Sequence, residues 1–244
     1  MNYRATLQYD GSRYHGWQRQ GNTADTIQGK VEDALSRISG SAVEVHGAGR
    51  TDGGVHALGQ VASFRLGPNI PTQELLYKLN QYLPSDIAAL SVEPVEDRFH
   101  ARLNAVGKLY RYSLRLGPVP DVFRRRYEYQ VEEPLDLTAM QQAAALLTGR
   151  NDYRSFCGNR RFHKSTVRTI WEIAFQRGEN TLDMLFHGTG FLPYMVRILT
   201  GTLLEVGLGQ RNAETMPAIL SACDRSAAGK TAPAQGLILV KVEY

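Results

Sequence analysis

Runs that alternate apolar and polar residues recur with amphipathic helical stretches in the order strand, helix, strand, strand, helix, strand, and the same order then returns. That repeat constrains the fold more than any single residue does. From Tyr3 to Tyr9 the chain sets Tyr3, Ala5, Leu7 and Tyr9 on one face and Arg4, Thr6 and Gln8 on the other, the period of a half-buried strand. Asp25 with Gln28 three residues on resembles a capping box, and Ile27, Val31, Ala34, Leu35 and Ile38 keep helical spacing until Gly40. Strands are expected at 42–46 and 60–66. Thr72 opens a second helix with Leu75, Leu76, Leu79 and Leu83 inward and Pro84 beyond, and 87–94 reads as a strand.

In the second half, 108–116 alternates with Tyr110, Tyr112, Leu114 and Leu116 on one face, and Leu137, Met140, Ala144 and Leu147 mark a helix ending near Gly149. A hairpin is expected from 169–175 and 182–186 across Arg177-Gly178-Glu179-Asn180. Helices at 191–206 and near 213–222 and a last strand at 237–242 complete the pattern. The predicted class is α+β: two ferredoxin-like, or RRM-like, halves joined in a composite, mostly antiparallel sheet with a central cleft. The expected division is 1–104 and 105–244, with the junction at 94–104. No sequence repeat accompanies the structural one.

Between two of the expected strands runs Val45-His46-Gly47-Ala48-Gly49-Arg50-Thr51-Asp52-Gly53-Gly54-Val55-His56-Ala57. An Asp-Gly pair ordinarily marks a turn. This loop goes further, with glycine or alanine at five of the eight positions from Gly47 to Gly54, and Arg50 two residues before Asp52. A bare backbone permits close approach of another chain or a ligand. The segment 12–22, with Tyr14, His15, Trp17, Gln18 and Arg19, has no period and reads as a long ordered loop of the kind that carries function.

Charge is segregated along the chain. Residues 98–126 hold eight basic side chains, among them Arg102, Arg111, Arg124, Arg125 and Arg126, against the one acid Asp121. Residues 150–168 hold six, among them Arg160, Arg161 and Lys164, against Asp152 alone. Arginine supplies 22 of the 28 basic residues, and its planar fork suits phosphate oxygens and stacking on bases. The clustering points to a nucleic-acid partner whose backbone these side chains would hold. The alternation starting at Tyr3 leaves no room for a signal peptide and no 18-residue apolar run occurs, so a cytoplasmic protein is expected. Cys157, Cys223 and six scattered histidines match no zinc spacing, and neither a metal nor a structural disulfide is expected.

Asp52 and Arg50 are the first candidates for chemistry. Aspartate acts as nucleophile or general base, and a neighbouring arginine favours its ionised form. Tyr110 and Tyr112 stand on one strand face, where packing alone is the ordinary use of tyrosine. Arg197 is flanked by apolar neighbours in Leu192-Pro193-Tyr194-Met195-Val196-Arg197-Ile198-Leu199, which makes it either a cleft-facing cation or a side chain that snorkels to solvent. With no phosphate-cradling, dinucleotide or deaminase signature in the chain, chemistry without a cofactor is expected.

Five pieces, in order along nearly the whole chain, resemble the tRNA pseudouridine synthase A (TruA) family: Tyr9-Asp10-Gly11 with Gly16-Trp17-Gln18; Gly49-Arg50-Thr51-Asp52-Gly53-Gly54-Val55-His56-Ala57; Lys108-Leu109-Tyr110-Arg111-Tyr112; Phe191-Leu192 with Met195-Val196-Arg197; and Thr231-Ala232-Pro233-Ala234 with Gly236-Leu237. Gly53 stands where that family usually has alanine, and Pro193 falls within the motif expected to be helical. The resemblance implies the pseudouridine synthase fold, isomerisation of uridine to pseudouridine at positions 38, 39 and 40 of the tRNA anticodon arm without a cofactor, and a homodimer sharing one tRNA. It implies that Asp52 is the catalytic aspartate, that Arg50 and Arg197 orient it, and that Tyr110 stacks on the target base and takes part in proton transfer. Gln18, Arg19, His56, Arg111, Tyr112 and Leu237 are the further substrate-binding candidates. Two rival readings remain at this point: an RNA-binding protein of two RRM-like halves, and a cofactor-free glycosylase that releases the base.

Overall fold

The structure is a computed structural model that describes residues 1–67 and 69–244. Two compact units divide the chain: Met1–Val106 with Ile238–Tyr244, and Gly107–Leu237. Both are mixtures of helix and sheet.

In the first unit, β1 (Asn2–Tyr9) lies between β3 (His56–Arg65) and β4 (Ile87–Val95), antiparallel to both. Its alternation is the one expected, with Tyr3, Ala5 and Leu7 fully buried. A register shift between Leu7 and Tyr9 brings Tyr9 opposite Ala57. The helix α1 (Ile27–Ser39) ends at Gly40, whose φ of 73° gives the left-handed cap. Its N-cap is Thr26, whose hydroxyl accepts from the Gly29 N–H, so the expected Asp25–Gln28 capping box is not formed; Asp25 pairs with Lys30 instead. The second helix, α2 (Thr72–Tyr82), begins where expected and buries Leu75 and Leu79. The short β2 (Val45–Gly47) pairs with the far half of β3, starting three residues later and ending one residue later than the 42–46 strand expected. The near half of β3, at His56 and Ala57, pairs in parallel with Ile238 and Leu239 of β10 (Leu237–Glu243).

The second unit is built on β5 (Gly107–Leu116), β9 (Thr181–Gly188), β8 (Val167–Arg177) and β7 (Gly149–Asp152), antiparallel in that order, with β6 (Tyr129–Val131) parallel to β5. The β8–β9 hairpin turns at Gly178, as expected. Two helices, α3 (Leu137–Leu146) and α4 (Met195–Gly207), pack together, and α5 (Met216–Ala222) follows. Nearly every residue of α4 is buried, which is why its sequence is apolar all round.

The second half therefore differs from a plain second copy of the first. Two short strands, β6 and β7, are added, and the closing strand pairs with β3 of the first unit. Also corrected is the expected helix at 191–206. It starts at Met195, because Tyr194 at its N-cap has φ 62°, and Pro193 lies outside it.

Candidate active site

In the first unit the loop from Gly47 to Val55 is fixed at almost every residue. The Ala48 N–H donates to the Val61 carbonyl (2.7 Å), the Trp17 N–H to the Thr51 carbonyl (3.0 Å) and the Gly54 N–H to the Tyr14 carbonyl (3.2 Å). The Val55 N–H donates to the Asp52 carbonyl (3.2 Å), so Asp52 stands at the head of a tight turn. Beneath it is a buried chain of side chains: Gln60 Nε2 donates to the Gly49 carbonyl (2.9 Å) and to Tyr9 Oη (3.4 Å), and Tyr9 Oη is 2.9 Å from Thr51 Oγ1. Burial pushes the Tyr9 phenol up to about 12, partly offset by its bonds to Thr51 and Gln60, so it is a neutral strut at neutral pH.

The Tyr9-to-Trp17 segment forms the bed of this loop. At Gly16, φ is 94° and a Cβ would stand 2.6 Å from the Thr51 carbonyl oxygen, so glycine is required on both counts. A side chain at Gly11 would collide with the Val55 carbonyl. Trp17 is buried with its ring against Gly47. The first two motifs of the chain are thus one object: the glycines of the first let the backbone of the second approach.

Asp52 is half-buried at the head of this turn and Arg50 is exposed. An alanine would fit at Gly53, where a Cβ meets the Tyr14 carbonyl at 3.5 Å, so the departure from the family's usual residue leaves the turn intact. His56 is buried, its Nδ1 lying 3.0 Å from the Gly11 nitrogen and 3.2 Å from Asp10 Oδ1. The neutral ring accepts from the first and the protonated ring donates to the second, so either state ties His56 to the Asp10–Gly11 turn. Gln18 Nε2 donates to Gln28 Oε1 (2.6 Å), and Arg19 reaches Glu32 (2.9 Å). Both are thereby held to α1.

In the second unit, Tyr110 is buried on β5 with its ring edge-on to Phe191, centroids 5.3 Å apart at 85°. Tyr112, two residues on, is fully buried and donates to the Pro233 carbonyl at 2.8 Å. Its hydroxyl is held well above the ordinary tyrosine range by burial, against an opposing pull from the Arg197 charge. Arg111 lies within 4.0 Å of Asp183 on β9. Arg197, on the first turn of α4, does not snorkel: its Nε donates to the Ala232 carbonyl (2.7 Å), the Ala232 N–H returns to the Arg197 carbonyl (3.0 Å), and its guanidinium sits 5.3 Å from the centre of the Tyr194 ring. Tyr194 is itself in the left-handed region, which costs a non-glycine residue roughly 1–2 kcal/mol. Such strain is concentrated at functional positions. Gly236 packs on the Tyr112 ring, and Leu237 is buried where β10 begins. The third, fourth and fifth motifs therefore meet around Arg197 and Tyr112.

The residues that sequence reasoning did not single out are Tyr9, Thr51 and Gln60 in the first unit and Tyr194 and Ala232 in the second. Each lies within or beside a quoted motif except Gln60, which looks like any polar residue of an alternating strand. The expected backbone-holding residues Arg102, Arg124, Arg125, Arg126, Arg160, Arg161 and Lys164 are all exposed. Arg124 is 2.9 Å from Glu128, Arg125 bonds the Val122 carbonyl, and Arg154 folds the 160–162 segment by donating to the carbonyls of Phe162 (2.8 Å) and Arg160 (2.9 Å).

Comparison with known proteins identifies the family. Residues 5–104 and 143–244 match the family model described as tRNA pseudouridine synthase. Over 241 residues, 99% of this chain and 98% of that protein, the chain is 46% identical to tRNA pseudouridine synthase A of Brevibacillus brevis. It is 44% identical over 243 residues to the protein of the same name from Bacillus sp. strain KSM-64, covering 100% of this chain and 99% of the relative, and 42% identical with the same coverage to that of Acetivibrio thermocellus. With the likeness running the length of the chain, the chain belongs to the tRNA pseudouridine synthase A family, isomerases that convert uridine to pseudouridine in tRNA.

Proposed function

We propose that this chain makes pseudouridine at positions 38, 39 and 40 of the tRNA anticodon arm, with Asp52 as the catalytic carboxylate and no cofactor. The observation that carries the reading is the setting of Asp52: a carboxylate at the head of a turn whose backbone is tied on both sides to buried groups. Such preorganisation is what a reaction at a single sugar carbon needs. The step is an isomerisation. The bond from ribose C1′ to uracil N1 breaks, the detached base turns, C1′ bonds to C5, the C5 proton leaves and N1 gains one. Asp52 either attacks C1′ or assists departure of the base, and Arg50 and Arg197 are its charge partners in this scheme. Tyr110 stacks on the target uracil and takes part in proton transfer. Extruding a base from the stem costs a few kcal/mol, and the exposed arginines would hold the phosphates while that happens. Gln18, Arg19, Arg111, Tyr112, His56 and Leu237 then serve the substrate mainly by holding these groups in place. By the same family resemblance the enzyme works in the cytoplasm as a homodimer.

The test is incubation with unmodified tRNA followed by pseudouridine-specific mapping and intact-mass measurement. Pseudouridine confined to the anticodon arm at constant mass is expected. Loss of the base from the RNA would make the protein a glycosylase, and binding without modification would make it an RNA-binding module.

A further inference from the structure

A pocket of about 600 Å³ in the second unit, outside the motifs, is lined by Arg154, Gly158, Arg160, Asp224, Arg225 and Ser226 among others. Three guanidinium groups here face one carboxylate. Two of the three give their hydrogens to neutral groups: Arg154 to the carbonyls of Arg160 and Phe162, and Arg225 to the Ala228 carbonyl (3.2 Å) and Thr231 Oγ1 (3.1 Å). Their orientation is fixed by these bonds, and the acid whose charge acts on Arg225, Glu205, is itself paired with Arg211 (2.9 Å). The carboxylate lining the pocket, Asp224, accepts from the Ser226 N–H (3.0 Å) and from Ser226 Oγ (2.5 Å), and these bonds, with a smaller pull from the Arg160 charge, hold it below the usual carboxylate range. Arg160 is exposed at the mouth. A preset, net-positive pocket of this size suits a phosphate group with its attached sugar.

The walls of the pocket end on the supports of Arg197. On one side the Gly158 N–H donates to the Pro193 carbonyl (2.9 Å), and Gly158 lies so close to the Tyr194 ring that a Cβ would stand 2.5 Å from its Cδ2. That ring is the one beneath the Arg197 guanidinium. On the other side Arg225 bonds the Thr231 hydroxyl, and the next residue, Ala232, exchanges two hydrogen bonds with Arg197. We propose that this pocket seats a backbone phosphate of the RNA substrate, and that its occupancy sets the position of Arg197 through Gly158–Tyr194 and Arg225–Thr231–Ala232. Arg160 and Arg225 are then positioning residues for the reaction: the first captures the phosphate, the second transmits its arrival. The assignment of RNA as the source of the phosphate rests on the function proposed above.

The experiment has one arm that does not depend on turnover. Inorganic phosphate is titrated into isotopically labelled protein, and the amide signals of Gly158 and Ser226 and the Nε–H signal of Arg197 are followed. Saturable shifts at all three are expected in the wild type, lost in Arg160→Gln and retained in Arg160→Lys. Equal shifts at the exposed Arg124, Arg125 and Arg126 would show a general charge effect and overturn the pocket, and an unmoved Arg197 signal would overturn the coupling. In the second arm tRNA affinity is measured against salt. Arg160→Gln should weaken binding about tenfold and lower the log–log salt slope by about 0.7–0.9, the loss of one phosphate contact. Phosphate binding with an unchanged tRNA slope would mean that a free anion, not RNA, occupies the pocket. A wild type that passes the phosphate arm yet makes no pseudouridine would refute the proposed reaction while leaving the anion pocket standing.

Discussion

Tyr9 Oη lies 2.9 Å from Thr51 Oγ1, one residue from the candidate catalytic aspartate, in a site where both side chains are buried. The bond joins the first strand to the loop that carries Asp52, and Gln60 completes it from below. Removing the phenol oxygen leaves the Thr51 hydroxyl and one hydrogen of the Gln60 amide short of a partner. Tyr9→Phe should therefore destabilise the protein by about 1–3 kcal/mol in denaturant unfolding and lower kcat more than it changes tRNA affinity. An unaltered midpoint would remove Tyr9 from the account of the loop.

Gly16 is a sharper test of the same bed. Alanine there must both adopt a φ of 94° and place its methyl against the Thr51 carbonyl. Gly16→Ala is expected to cost more than about 1 kcal/mol of stability and to reduce turnover by displacing the Asp52 turn. Gly21→Ala serves as the comparison, since nothing lies within 4 Å of a Cβ there. Equal behaviour of the two variants would show that close approach at Gly16 is unimportant.

Arg197 is held by Ala232 and overlies Tyr194. A fixed cation of this kind acts on charge that develops during reaction, and its loss costs on the order of 10²–10³ in kcat. Arg197→Met should lose turnover by that factor with tRNA affinity changed only slightly, as read from single-turnover kinetics beside equilibrium binding. Equal losses in both would make Arg197 a binding residue.

Alkaline pH should unfold the protein through its buried phenols. Tyr9, with its folded value near 12 against an ordinary 10, keeps its proton in the folded state while the unfolded chain loses it. Its contribution is complete below pH 10 and is lost as pH rises toward 12, at up to about 1.4 kcal/mol per pH unit for each such group. Tyr112 and Tyr153, also raised by burial, act in the same direction. Unfolding free energy should fall steeply over that window, and less steeply in Tyr9→Phe. A flat profile would contradict the burial assigned to these hydroxyls.

Period-two alternation made β1 readable because one face of it is fully buried, and the spacing of Ile27, Val31 and Leu35 did the same for α1. The strand β7 was not readable: Gly149-Arg150-Asn151-Asp152 pairs with β8 through its backbone while its side chains stay largely exposed. The pairing of β10 with β3 joins residues some 180 positions apart, a choice made by global packing that local pattern does not encode. The start of α4 was misjudged because a run of apolar residues hides a left-handed Tyr194. At the site, the glycine-rich loop announced itself, whereas the reason for Gly11 and Gly16 appeared only when the Thr51 and Val55 carbonyls were seen against them.

In the proposed reaction Asp52 performs the chemistry on tRNA. The most direct measurement is single-turnover pseudouridine formation at positions 38–40 of unmodified tRNA by the wild type and by Asp52→Asn, with tRNA affinity measured on the same preparations. Expected are pseudouridine in the anticodon arm from the wild type and, for the variant, affinity within about twofold and a rate lower by at least about a thousandfold. Turnover retained by Asp52→Asn at anything near the wild-type rate would contradict that role.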